Sequence, residues 1–198
     1  MFKNKNFGGT VAVLTAAVTF GIAACGTSSG TAVAQPADGG TAAGGETTNG
    51  EAAAIAYVDG RYHYRIDAPG RMTSGADGSA AVVGPSERLQ VAIVQGTKAG
   101  DVLSLARDDI ASLPATATDF HLLSGPGSMN INGHNVEKFI YTWSAGTSPV
   151  TGKPIKLVGI RYYVSKDKAT VAVITYGIVS NQYDPQGADD IASTFRWQ

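Results

Sequence analysis

The stretch Ile155-Lys156-Leu157-Val158-Gly159-Ile160-Arg161-Tyr162-Tyr163-Val164, followed by Ser165-Lys166-Asp167-Lys168 and then Ala169-Thr170-Val171-Ala172-Val173-Ile174-Thr175-Tyr176-Gly177-Ile178-Val179, decides the fold. Both runs are rich in branched and aromatic residues, which suit a pleated, half-buried surface. Successive strand residues face opposite sides, and here both sides are apolar. Leu157 and Tyr163 stand against Val158, Ile160 and Tyr162 in the first run, and Val171 and Val173 against Ile174, Tyr176 and Ile178 in the second. Central strands of this kind need a layer over each face of the sheet. The short polar connection makes the pair antiparallel, because a parallel crossover needs a dozen residues or more.

Upstream, a Gly- and Pro-containing loop from Ser144 to Pro154 leads back to a strand over Asn135 to Trp143. It is joined through Asn132-Gly133, where both residues tolerate the positive φ of a tight hairpin turn, to strands at Ser128 to Ile131 and Phe120 to Leu123. Val102, Leu105, Ala106, Ile110 and Leu113 recur at helical spacing, with Asp101 as N-cap and Pro114 as the stop. Earlier strands fall at Ile55 to Asp67, closed by Pro69-Gly70, at Ser79 to Val83 and at Leu89 to Gln95. Downstream, Asp184 caps a helix with Pro185 at its first position, and Ala188, Ile191, Ala192 and Phe195 are spaced to face the sheet. The expected class is α+β: a three-layer sandwich, with an antiparallel sheet of about six or seven strands and helices on both faces.

The N-terminal part has a different character. Met1 to Asn6 carries Lys3 and Lys5 with no acid, and an uncharged, mostly apolar run follows to Ile22, the pattern of a signal peptide over residues 1–24. Ile22-Ala23-Ala24-Cys25 resembles the lipobox of bacterial lipoproteins, an aliphatic residue and two small ones before the cysteine that is acylated. The run is shorter than the 18 or so apolar residues a membrane span requires. Cys25 is the only cysteine, so with lipid on it no disulfide remains. Residues 25–53 are mostly Gly, Ala, Thr and Ser and read as a flexible tether with a mean reach of roughly 30 Å. Residues 54–198 suffice for one domain. Loss of Lys3 and Lys5 takes the formal net charge from −1 to −3, too small and mixed to suggest nucleic acid as partner. The expected location is extracytoplasmic, anchored to the cell membrane by lipid. Gly26 lacks the aspartate that often marks inner-membrane retention, which leaves the outer membrane open in a two-membrane host.

The order of elements resembles the PsbP-like fold family, which includes DcrB-type and LpqN-type bacterial lipoproteins. The resemblance rests on the lipidated Cys25 and its tether, a Tyr-containing first strand ending in Asp67-Ala68-Pro69, and the helix before Ile131-Asn132-Gly133. The paired Ile160 to Val164 and Val171 to Tyr176, and an Asp184 helix running into Ile191-Ala192-Ser193-Thr194-Phe195, complete it. The resemblance implies a non-catalytic binding or accessory module of the envelope. The alternative is a small-molecule-binding lipoprotein that presents a ligand near a transporter. The metal-binding residues of some photosystem members find no matching motif here.

Chemistry-bearing patterns are few, and the sequence calls for no cofactor or metal. His63, His121 and His134 share no ligand-like spacing, and Gly125-Pro126-Gly127-Ser128 lacks the last glycine of a nucleophile elbow and reads as a turn. Asp108-Asp109 and Asp189-Asp190 lie on the helices, where adjacent residues point about 100° apart, and read as solvated faces. One cluster stands out: His63 and Arg65 share a strand face, and Arg161 interrupts an apolar strand beside Tyr162 and Tyr163. A charge inside a covered sheet needs a partner. Two readings follow: an internal ion pair with Glu137 or an aspartate, or a small anionic or aromatic ligand site formed by His63, Arg65, Arg161 and Tyr163.

Overall fold

The computed structural model describes residues 54–75, 79–84, 86–96 and 101–198. The signal peptide at 1–24, the lipobox Ile22, Ala23, Ala24 with Cys25, and the tether lie outside the described residues. The chain forms an α+β fold: a seven-stranded sheet, a three-stranded sheet and two α-helices, every strand pair antiparallel.

The strand expected over Ile55 to Asp67 is two strands, β1 (Ile55–Asp59) and β2 (Tyr64–Ala68). Asp59 is the cause. Its Oδ1 accepts from the backbone N–H of Arg61 at 2.9 Å and of Tyr62 at 2.7 Å, which turns the chain, and His63 completes the reversal at φ 56°. β3 (Thr73–Ser74), β4 (Ala80–Val83) and β5 (Glu87–Gln95) follow, and then α1 (Val102–Ser112). Asp101 caps α1 by accepting from Ser104 N at 2.9 Å. Pro114 continues the chain through one 3₁₀ turn, Leu113–Ala115, rather than stopping it outright. The two short strands expected next merge into β6 (His121–Ile131), whose register shifts on either side of Ser124 leave Leu123 on one side and Gly125 and Pro126 on the other out of the pairing. β7 (His134–Thr147), β8 (Pro154–Asp167) and β9 (Thr170–Val179) form the long centre, and α2 (Pro185–Ser193) and β10 (Arg196–Trp197) end the chain. The large sheet runs β3-β4-β5-β9-β8-β7-β6 and the small one β1-β2-β10. The first strand region therefore pairs with the C-terminus, outside the main sheet.

Register assigns each side chain of the large sheet to a face. One face carries Ile160, Tyr162 and Val164 of β8 with Ala172, Ile174 and Tyr176 of β9, and these cluster with Ala188 and Ala192 of α2, Phe195, and Tyr64 and Ile66 of the small sheet. The other carries Arg161 and Tyr163 of β8 with Val171 and Val173 of β9. There Phe139, Tyr141, Tyr163 and Val171 cluster with Ala106 of α1 and Leu113.

Candidate functional site

The second face, the Arg161 face, holds the densest constellation of polar and aromatic groups. Arg161 is placed mid-strand on β8 with Phe139 of β7 on one side and Thr175 of β9 on the other. Its guanidinium donates to Asp109 Oδ2, the same oxygen that accepts from the Tyr163 hydroxyl. Side-chain exposures of 16% for Arg161 and 22% for Asp109 make this a largely desolvated pair. Burial alone would lower the Arg161 pKa, but Tyr141, Asp109 and Tyr163 outweigh it and hold the arginine above its ordinary value. Burial raises the Tyr163 pKa, Asp109 adds to the rise, and Arg161 opposes it.

An aromatic ladder flanks the pair. Tyr141 lies 5.6 Å from Phe139, 5.6 Å from Phe120 and 5.3 Å from Trp143 between ring centroids, and the Arg161 guanidinium sits 5.9 Å above its ring. Two glycines face each other across β8 and β9 to make room for it. A Cβ on Gly159 would stand 2.5 Å from Tyr141 Cζ and 2.8 Å from Trp143 Cζ3, and one on Gly177 would stand 3.2 Å from Trp143 Cη2. The Trp143 indole thus reaches from β7 over β8 to β9.

Helix α1 makes most of its sheet contacts with β6, β7 and β8, and Val171 of β9 is buried in the same cluster. Beyond it the same face continues over β9, β5 and β4 with half-buried Thr175, Gln90, Ala92 and Arg88. The Nε atoms of Arg88 and Arg161 are both buried and have no hydrogen-bond partner.

The structure brings together two of the sequence-predicted residues and separates the others. Arg161 and Tyr163 meet at Asp109, whereas Glu137 takes another partner, accepting from Ser128 Oγ at 2.5 Å. His63 is exposed in the β1–β2 turn, where its carbonyl accepts from Gln198 N at 2.7 Å. Arg65 is exposed on the small sheet and pairs with Asp67 at 3.1 Å. Neither joins Arg161, because β2 packs in the cluster of the opposite face.

The two Asp-Asp pairs correct a reading. Asp108 and Asp190 are solvated, but Asp109 is turned onto Arg161, and Asp189 accepts from Lys138 Nζ at 2.5 Å and from the Tyr162 hydroxyl at 2.7 Å. The helical rotation between neighbours splits each pair into one inward and one outward carboxylate. The inward one was findable in principle, since Asp109 continues the stripe of Val102, Leu105 and Ala106. Beside Asp189 an open groove of about 360 Å³ lies between β6, β7 and α2, lined by Ser124, Ser128, Met129, Lys138 and Ile140. A smaller cavity of about 110 Å³ is bounded by Asp119, His121, Trp143 and Lys156.

No family model matches the chain, and no curated protein sequence matches it. Solved structures do resemble it. A Bacteroides thetaiotaomicron VPI-5482 protein is 7% identical with a TM-score of 0.49, over 72% of this chain and 48% of that one, so the chain spans about half its length. The Saccharomyces cerevisiae Ran-binding protein Mog1p is 12% identical with a TM-score of 0.48, over 73% of this chain and 95% of that one. A Pseudomonas aeruginosa protein of unknown function is 14% identical with a TM-score of 0.41, over 70% and 90%.

Proposed function

We propose that this chain is an extracytoplasmic lipoprotein of PsbP-like, DcrB- or LpqN-type kind, lipidated at Cys25 and acting as a non-catalytic interaction module that docks on an envelope or membrane complex. The signal sequence ends at Ala24, residues 25–53 tether the domain, and residues 54–198 are a three-layer sandwich with α1 and α2 on opposite faces of the sheet. The sandwich is supported by the packing of Ala106 with Tyr163 and of Ala188 and Ala192 in the cluster of Tyr162, since neighbouring residues on β8 face opposite ways. The lipid anchor is supported by Ile22-Ala23-Ala24-Cys25 behind a basic start and an apolar run.

The observation that carries the interaction reading is the open half of the Arg161 face. It carries half-buried Arg88 beside half-buried Trp143, with Val83 and Val94 exposed at its rim, and arginine and tryptophan are residue types in which binding energy concentrates at protein interfaces. The second reading, a small-molecule-binding lipoprotein, is favoured by the groove beside Lys138, whose volume falls in the range of small-ligand sites.

The test is a crosslinked pull-down of the full-length protein from its own membranes, with Cys25→Ala as the lipid-free control. One dominant partner recovered only with the tethered form is expected. Recovery of no partner, together with thermal stabilisation by a small molecule, would replace this reading with the second. Mass spectrometry of the mature chain checks the anchor: an intact Met1 to Ala24 sinks it.

A further inference from the structure

We infer that the groove between β6, β7 and α2 binds a small zwitterion, a free α-amino acid with an apolar side chain, whose carboxylate meets Lys138 and whose ammonium meets Asp189. The inference rests on the small-molecule reading and names the ligand class.

Register places the groove. Ser124 and Gly127 of β6 stand opposite Ile140 and Lys138 of β7, and Lys138 stands opposite Tyr162 of β8, so these residues share the face on which α2 packs, turned away from Arg161. β6 is the outermost strand of the large sheet, and Asp189 of α2 borders the groove. Gly127 keeps it open. A Cβ at this position would meet no atom within 4 Å, so a larger side chain there would stand in the groove and not in the core.

The two charges are held in place. Lys138 Nζ donates to Asp189 Oδ1 at 2.5 Å and lies 5.5 Å from the centre of the Tyr162 ring, and the Tyr162 hydroxyl donates to the same Oδ1 at 2.7 Å. Side-chain exposures of 19% for Lys138 and 32% for Asp189 leave the pair partly desolvated yet accessible from the groove that both residues line. Both have bonding capacity left. An ammonium carries three N–H donors, and Lys138 spends one on Asp189. Asp189 Oδ2 accepts from no side chain among the described residues.

Charge and shape then select the ligand. The lining holds one cation and one anion in direct contact, so a ligand with a single charge that bonds one of them is brought against the like charge of the other, which costs affinity. A zwitterion pairs with both at once. Its carboxylate accepts from the Lys138 ammonium, and its own ammonium donates to Asp189 Oδ2, in charge-assisted hydrogen bonds. In an α-amino acid the two groups share one carbon, which sets them as close together as the Lys138–Asp189 pair. The side chain on that carbon meets Met129 and Ile140, the apolar part of the lining. At about 360 Å³ the groove lies near the lower end of small-ligand sites, which suits an occupant of this size.

The experiment uses the full chain, isotope-labelled and held in detergent, with L-leucine as probe. N-acetyl-leucine lacks the ammonium, leucinamide lacks the carboxylate, and free glycine lacks the apolar side chain. Expected are saturable shifts of the Gly127, Met129 and Ile140 amide signals with leucine, and at least tenfold weaker binding of each analogue. Gly127→Leu should lose the leucine response and keep its melting temperature, because it fills the groove at a position outside the left-handed φ region. Groove signals unmoved by leucine, N-acetyl-leucine or leucinamide binding as well as leucine, or a Gly127→Leu protein that binds leucine as the wild type does, overturns the inference. If leucine fails while another small molecule stabilises the wild type and not Gly127→Leu, the ligand class falls and the small-molecule reading stands. If no small molecule stabilises the chain, both fall.

Discussion

Asp109 shows how much one side chain decides. Its single oxygen, Oδ2, takes both the Arg161 guanidinium and the Tyr163 hydroxyl, so it ties α1 to the middle of the longest strands. With both charges mostly desolvated, the pair gains Coulomb energy but has lost hydration, and its net worth over an apolar replacement is small. Breaking it is another matter, because the survivor is left charged, buried and uncompensated. Arg161→Met and Asp109→Leu are each expected to cost about 3 kcal/mol. The double substitution should cost clearly less than their sum, with a coupling energy of about 2 kcal/mol. Urea denaturation of the four proteins measures this, and additive single effects would show that the two side chains do not depend on each other. The position of Arg161 was legible in the sequence, because a lone charge between apolar neighbours on a covered strand demands a partner. The partner was not, because Asp109 lies 52 residues away and only the packing of α1 brings it within reach.

At the level of elements, the hairpin at Asn132-Gly133 was legible from turn chemistry, and both residues do adopt positive φ, 54° and 86°. A second task of Asn132 was not legible. Its Nδ2 donates to the carbonyls of Ser193 at 3.0 Å and of Phe195 at 2.7 Å, so the turn between β6 and β7 caps the end of α2 and holds β10 against β2. Asn132→Gly keeps the turn and loses both bonds, and should cost about 1–2 kcal/mol. Asn132→Asp keeps the tolerance of positive φ but turns a carboxylate toward two carbonyl oxygens, and should cost more. Amide exchange at Trp197 is the discriminating readout: faster exchange in both variants, fastest in Asn132→Asp, is expected, and unchanged exchange would mean that β10 is held without the turn. The same long-range dependence explains why the first strand was misjudged. Alternation over Ile55 to Asp67 is real, but Asp59 draws the backbone into a turn, and β2 then finds β10, which no local pattern announces. The helix caps, by contrast, are local hydrogen bonds, and Asp101 and Asp184 sit where the sequence placed them.

For the molecule as a whole, the elements are joined by tyrosines whose rings are buried and whose hydroxyls meet acids carried on other elements. Tyr163 reaches Asp109 on α1, Tyr162 reaches Asp189 on α2, and Tyr176 on β9 reaches Glu87 on β5. Tyr64 and Tyr141 complete the set of buried tyrosines. In all five burial raises the pKa above the ordinary tyrosine value, and for Tyr162, Tyr163 and Tyr176 the acid partner raises it further. Arg161 draws Tyr141 back down without cancelling the rise. The consequence for stability has a definite sign. Above about pH 10 the unfolded chain releases these protons and the native state keeps them, so the unfolded state binds fewer protons and stability falls as pH rises. Below pH 10 the contribution is present in full. Each buried tyrosine steepens the decline by about 1.4 kcal/mol per pH unit, so a few together exhaust a typical stability of 5–15 kcal/mol within one or two units. The chain should therefore unfold cooperatively in alkali, with tyrosinate absorbance at these five sites and loss of circular dichroism rising together as one transition. Gradual ionisation of Tyr162, Tyr163 and Tyr176 near pH 10, with the circular dichroism intact, would show that the bonds joining these elements do not depend on those protons.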